Sequence, residues 1–284
     1  MKKILSALFV LVALLSPVSP VFDTQVAHAA TDIKNDGTLS TSLANYWKLE
    51  EASGTRVDSH GSDDLTDNNT VTTATGIIDE GADFENTIRT RAEHLSNTSV
   101  RDGDTGDLSI SLWAKFESFG PYSEYFAAKW KTAGNERGFQ FYRNNEINRI
   151  DIDYSSDGST SNRVAWRTDA NVLPSTGTWY HVVVTIDVSA ETSVIYVDGG
   201  SVAVTKFVDA GTATSIHDSA GTFMLGSQAN DGQYHYFDGV MDEVGLWNKV
   251  LSSSEVTDLY NSGSGLVYDA GGGGGTARRV MIIN

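Results

Sequence analysis

Side chains able to do chemistry are few in this sequence, and their spacing decides what each is worth. Asp151 and Asp153 stand two apart in Glu146-Ile-Asn-Arg-Ile-Asp-Ile-Asp153. On an extended segment they share a face, where one carboxylate orients the other and raises its proton affinity. Retaining hydrolysis of a glycosidic bond needs two carboxyls roughly 5 Å apart. Here Asn148 fills the preceding acidic position and Arg149 follows it, so the pair reads as a solvated strand face rather than an acid–base machine. The six histidines form no His-x-x-x-His pair. His181, inside Trp179-Tyr-His-Val182, reads as structural. There is no cysteine and no Gly-x-Ser-x-Gly elbow, and Gly271–Gly275 lacks the Lys-Ser/Thr of a phosphate loop.

Aromatic side chains offer a different chemistry, since sugar rings stack on exposed aromatic faces while their hydroxyls bond polar neighbours. Two polar-aromatic clusters fit. One holds Tyr122, Tyr125 and Trp130, with Lys131 beyond it. The other is Asn230-Asp231-Gly-Gln-Tyr234-His-Tyr236. The alternative use of any one of these rings is to fill a core.

The elements that must position them are strands. Leu108, Ile110, Leu112, Ala114 and Phe116 alternate with Ser109, Ser111, Trp113 and Lys115, which predicts a half-buried strand. Asn45–Glu50, Tyr125–Trp130, Gly138–Tyr142, Asn148–Tyr154, Arg163–Thr168, Thr178–Ile186, Ser193–Gly200 and Phe223–Gly226 read likewise, with Asp198-Gly199 as a hairpin turn. From Gly239 a last strand places Val240, Asp242, Val244 and Leu246 on one face and Met241, Glu243, Gly245 and Trp247 on the other. Asp242 among apolar neighbours needs a partner. The period then changes. Ser252-Ser-Ser-Glu255 is a capping box, and Val256, Leu259 and Tyr260 at helical spacing predict a short helix ended by Gly263. The expectation is an all-β, two-sheet antiparallel jelly-roll sandwich with one short C-terminal helix.

The stretch from Tyr236 through Gly239, Asp242-Glu-Val244 and Leu246-Trp247 to Leu251-Ser-Ser-Ser-Glu255 resembles the C-terminal hallmark of the laminin-G-like, concanavalin A-like jelly-roll superfamily. Tyr46-Trp-Lys-Leu-Glu50 is similar to the opening strand of that family. Asp58–Leu65 resembles its Asp-x-Ser-Gly-x-Gly loop, although His60 precedes the Gly and the second Gly is absent. Gly81-Ala-Asp-Phe84, Leu108–Phe116 and the Trp179–Val182 and Tyr196–Gly199 pair also match, with Asn86 where members often carry Asp-Gly. The likeness runs from about Leu43 to Gly265. It implies non-catalytic recognition of glycans or surface proteins. It also implies a structural calcium at the last-strand aspartate, here Asp242, with Asp58 as second ligand and a carbonyl from the Gly81 region. The alternative partner for Asp242 is the backbone of a neighbouring loop. Related endoglucanases use Glu-x-Asp-x-x-Glu or Glu-x-Asp-x-Glu, which Glu146–Asp153 fails on spacing.

Met1-Lys-Lys3, the apolar run Ile4–Leu15 and Ala27-His-Ala29 together read as a signal peptide over 1–29, followed by a polar leader over 30–42. The domain is expected over 43–265, and a Gly-rich linker with a short basic and apolar tail over 266–284. The product is expected to be secreted or held at the extracellular surface, with no membrane span in the mature chain. A formal net charge of −17 argues against nucleic acid or anionic membrane as partner. The tail reads as a frayed end or as a strand that docks to a partner. Expected function is therefore a non-catalytic module for carbohydrate or a cell-surface polymer or protein. A structural subunit of a surface layer is the second reading and a glycoside hydrolase the third.

Overall fold

The computed structural model describes residues 31–94, 100–146, 148–229 and 235–269. The segment read from sequence as a signal peptide, 1–29, and the Gly-rich run and tail from 271 onward lie outside them. Seventeen strands are present among the described residues. In chain order they begin β1 Leu43–Trp47, β2 Thr55–Arg56, β3 Leu65–Asn68, β4 Thr72–Thr75, β5 Glu80–Phe84 and β6 Arg91–His94. The middle of the chain gives β7 Leu108–Phe116, β8 Glu124–Lys131, β9 Glu136–Asn144, β10 Arg149–Ser155, β11 Arg163–Thr168 and β12 Trp179–Asp187. Then come β13 Thr192–Val197, β14 Gly200–Val202, β15 Val204–Asp209, β16 Phe223–Leu225 and β17 Gly239–Trp247, followed by the helix α1 Ser253–Tyr260.

They form two antiparallel sheets, as the alternation predicts. Sheet I runs β14-β13-β12-β7-β17-β5-β4, with β1 also on β17; sheet II runs β15-β11-β10-β9-β8-β16-β6-β3-β2. The main core lies between them. Leu108, Ile110, Leu112, Ala114 and Phe116 of β7 face Phe139, Phe141, Ile150, Ile152 and Tyr154 of sheet II. Burying this apolar surface is the main favourable term for the sandwich.

A second core covers the outer face of sheet I. Val256 and Leu259 of α1 pack with Val183, Tyr196 and Trp247. Ile33 and Leu39 join them, both fully buried, together with Leu266 and Tyr268. The segment read as a polar leader is thus packed structure. Its two apolar residues are enough to anchor it, while Asp36 accepts from the Leu39 amide at 2.8 Å and holds the turn between them. The capping box forms as expected: Ser252 Oγ accepts from Glu255 N at 3.3 Å, and Glu255 Oε2 accepts from Ser252 N at 2.8 Å. The helix stops at Asn261 rather than Gly263, because Asn261 takes the left-handed conformation at φ 45°.

Strand β17 departs from strict alternation. Its register with β7 slips between Asp242 and Gly245, and Glu243 has φ 51°. This is a bulge, which adds one residue to one strand. Met241, Val244 and Leu246 consequently share the inner core, and Asp242 does not share a face with Val244 or Leu246. Alternation counted through the bulge assigns the wrong face to every residue beyond it.

Candidate functional site

The outer face of sheet II carries a third group of buried side chains, Tyr125, Ala128, Trp130 and Tyr142. Two bulges build it. One in β8 lies between Tyr125 and Ala127, so Phe126 and Ala127 both enter the inner core while Tyr125 and Ala128 stay outside. The other lies opposite Lys129 and Trp130, where β9 carries Gly138 as the extra residue. It lets Arg137 and Gln140, three apart in sequence, stand on one face. A Cβ at Gly138 would lie 2.7 Å from the Lys129 carbonyl oxygen, so only glycine fits there.

Tyr125 stacks on Tyr142 with centroids 4.7 Å apart, and the His235 ring meets its edge. Beside them lie the two aspartates. Arg163 grips Asp153 through both nitrogens of its fork, with Nε 2.6 Å from Oδ1. Arg167 grips Asp151 at 2.8 and 2.7 Å. Gln140 Nε2 donates to Asp153 at 2.9 Å. Both aspartates are fully buried, so the solvated face expected from sequence is instead covered by two guanidinium forks. Burial pushes the Asp153 carboxyl up, while its bonds from Arg163 oppose that shift. Carboxylates clamped in this way are held as hydrogen-bond acceptors rather than freed for proton transfer.

Three hollows share lining residues in turn, the first two on this face. One of about 280 Å³ is lined by Tyr125, Trp130, Thr132, Arg137, Gln140, Thr160, Arg163 and Gln228. A second, of about 430 Å³, shares Gln228 and adds Arg91, Glu93, Lys131, Met224 and Tyr236. A third, again of about 280 Å³, shares Tyr236 and adds Asn86, Arg89, Tyr122 and Glu124. Of the residues chosen from sequence, Tyr125 and Trp130 thus line the first hollow, Tyr236 the second and third, and Tyr122 the third. Asn230, Asp231 and Tyr234 lie outside the described residues. Trp130 and Tyr125 form a floor, 4% and 5% exposed, with Arg163 over the Trp130 ring; Tyr122 is the open ring at 48%.

Gln140 and Gln228 were not singled out from the sequence. Both are at least nine-tenths buried, and the side-chain oxygen of each lacks a hydrogen-bond partner among the described residues. For Gln140 the orientation is fixed, because its nitrogen must face the acceptor-only Asp153. No motif marks them; Gln140 follows the β9 bulge at Gly138 and Gln228 follows β16, and only the folded sheet brings them to one hollow. In the third hollow Glu124 is pushed up to about 7 by burial, and Arg143 Nε holds it at 2.5 Å.

The two candidate calcium ligands have different surroundings. Asp58 accepts from the amides of Tyr46, His60 and Gly61 on one oxygen, and from Asn45 Nδ2 and the Asp63 amide on the other. Its carboxylate is fully engaged by protein donors. Asp242 accepts through Oδ2 from the amides of Ile77 at 2.8 Å and Ile78 at 3.1 Å, the neighbouring loop of the second sequence reading. Gly76 allows that approach, since a Cβ there would sit 2.4 Å from Oδ2. Asp242 Oδ1 and Glu243 Oε1 are buried without partners among the described residues, the other Glu243 oxygen accepting from the Tyr46 hydroxyl. Burial pushes Asp242 up to about 7 and Glu243 to about 8, Asp242 adding to the latter. Two orphaned carboxylate oxygens suit a hard cation; Asp58 has none to give. His181 is buried, 2.9 Å from Ser111 Oγ, and its pKa is lowered to about 3, as befits a structural residue.

An antiparallel double-sheet jelly roll closed by one short helix defines the class of protein by its fold. The chain belongs to the concanavalin A-like lectin/glucanase superfamily, whose sequence profile matches residues 89–257. Among curated proteins none matches it. Its fold is similar to domain 4 of AbnA, an extracellular arabinanase of Geobacillus stearothermophilus solved with arabinotriose. There the identity is 17% and the TM-score 0.50, with 76% of this chain and 97% of that one covered. It is similar too to a Trypanosoma rangeli sialidase solved with sialic acid, at 16% identity and TM-score 0.58. That match covers 80% of this chain but 34% of the enzyme, so the chain spans about a third of it. The receptor-binding domain of a botulinum neurotoxin mosaic serotype C/D matches at 13% identity and TM-score 0.56, over 78% of this chain and 50% of that one. Among the described residues no helix is long and apolar enough to cross a membrane.

Proposed function

We propose that this protein is an exported, non-catalytic carbohydrate-recognition module, and that it binds glycan on the outer face of sheet II. One observation carries the reading: Gln140 and Gln228 both line the hollow floored by Tyr125 and Trp130, and each carries a buried amide oxygen without a partner among the described residues. A buried acceptor left unmade is costly, so a ligand that brings donors is favoured there. Sugar hydroxyls are such donors, and the apolar face of a sugar ring suits the open Tyr122 ring. The clamped Asp151 and Asp153 favour binding over hydrolysis. The arabinotriose found with AbnA domain 4 and the sialic acid found with the sialidase are consistent with a glycan ligand. The basic and apolar start of the chain supports export.

A structural calcium belongs to this reading. Asp242 and Glu243 would hold it through their orphaned oxygens, and its charge would offset the burial of two carboxylates.

A glycan array tests the function. The wild-type chain is expected to bind a defined subset of glycans, and Gln228→Leu to weaken that binding at least about tenfold with an unchanged or higher Tm, because it removes an unsatisfied polar group. Unchanged binding by Gln228→Leu contradicts the assigned face.

A further inference from the structure

Cations are scarce in this chain, with 20 Lys and Arg against 37 Asp and Glu. They are nevertheless concentrated in the two hollows that share Gln228. Arg91, Lys131, Arg137 and Arg163 line them against the single acid Glu93. Two of the four are neutralised in place: Arg91 Nε lies 2.9 Å from Glu93, and Arg163 holds Asp153. The other two are not. Lys131 is exposed and has no carboxylate within 4 Å among the described residues. Its cross-strand neighbour Glu136 is occupied elsewhere, accepting from the Ala220 amide at 2.7 Å and lying 3.4 Å from His217 Nε2. Arg137 is 8% exposed, and only its Nη1 is used, by the Gly158 carbonyl at 2.9 Å and Asn135 Oδ1 at 3.3 Å. Its Nε and Nη2 find no acceptor among the described residues.

Holding Arg137 there needs a special backbone. Gly158 has φ 78°, and a Cβ on it would come within 1.6 Å of the Asn135 carbonyl oxygen, so the carbonyl that fixes Nη1 depends on glycine. A guanidinium anchored at one nitrogen and open at the others is arranged for a planar anion. Lys131, one residue along the same hairpin end, adds a point charge. In a protein of net charge −17 such a patch stands out in the local field.

We propose that the ligand of this face is an acidic, carboxylate-bearing glycan, its hydroxyls donating to Gln140 and Gln228 and its carboxylate accepting from Arg137 and Lys131. The inference rests on the glycan reading and sharpens it. A neutral sugar satisfies the two amide oxygens and leaves the two cations bare. A simple anion satisfies the cations and leaves the amides bare. A uronate polymer presents both groups on one ring.

The test is affinity electrophoresis of the purified chain through gels carrying polygalacturonate, alginate or hyaluronan. Each runs beside its carboxyl-reduced neutral form, with dextran sulfate as a charge-only arm. At least one uronate polymer is expected to retard the protein, and its reduced form to bind at least about tenfold more weakly. Lys131→Gln and Arg137→Gln should each weaken uronate binding and flatten its salt dependence. Lys131 is exposed and unpaired, so its variant should fold even if loss of the Gly158 contact harms the other. Equal binding of acidic and reduced forms overturns the acidic ligand and leaves the glycan reading standing. Dextran sulfate binding as tightly as the uronates, unaffected by Gln228→Leu, overturns it as mere charge attraction. Retardation by no polymer, acidic or neutral, removes both readings together.

Discussion

Asp242 shows what a single residue can and cannot announce. Sequence marked it as a carboxylate in need of a partner, and the Ile77 and Ile78 amides meet one of its oxygens. That the other oxygen is bare, and that Glu243 repeats the pattern, depends on a left-handed Glu243 that no motif records. The pair should make stability pH-dependent. Both carboxyls are raised above their unfolded values, Asp242 from 3.8 to about 7 and Glu243 from 4.5 to about 8. The folded state therefore holds protons that the unfolded chain has released. Stability is fully present below about pH 4 and is lost progressively as pH rises to about 8. In EDTA, Tm is expected to fall across that window. Asp242→Asn should flatten the slope, since the amide oxygen still accepts from Ile77 and Ile78 and carries no charge. Added calcium should raise Tm of the wild type more at pH 8 than at pH 5, where protons compete for the same oxygens. An EDTA profile unchanged by Asp242→Asn would contradict the assignment of the burden to this carboxyl.

At the scale of elements, strands with clean period two were legible. Leu108–Phe116 shows its inner face in the residue types alone, and the Ser252–Glu255 box announces α1. What sequence hid were the bulges. Each shifts one residue, and the faces beyond it exchange, which is why Asp242 was grouped with Val244 and Leu246 and why Arg137 and Gln140 were not paired. The buried Asp151 and Asp153 escaped for a related reason. Their arginine partners come from the next strand, β11, whose register with β10, Asp151↔Arg167 and Ser155↔Arg163, alternation within either strand does not give. The β9 bulge has a direct consequence. Gly138→Ala forces a Cβ to 2.7 Å from the Lys129 carbonyl and should cost about 1–3 kcal/mol in denaturant unfolding. It should also weaken glycan binding, because Arg137 and Gln140 move with the strand. A variant that binds as well as wild type would show that the bulge does not position the site.

For the molecule as a whole, the two cores divide the labour. The inner core holds the sheets together, and the second core covers the outside of sheet I with α1, Ile33 and Leu39; among the described residues the outside of sheet II has no such helix-borne cover. The general fold, through its last strand and helix, was readable from sequence. The proposed binding face was half readable, because its aromatics are conspicuous while its amides and cations come together only when the sheet closes. The most direct measurement is an NMR titration of the chain with the best glycan from the array, following the Trp130 indole N–H, the Gln140 and Gln228 side-chain amides and the Tyr46 and Trp247 region as reference. The expected result is saturable shifts at Trp130, Gln140 and Gln228, with the reference signals still. Shifts confined to the sheet I side, with those three unmoved, would contradict it.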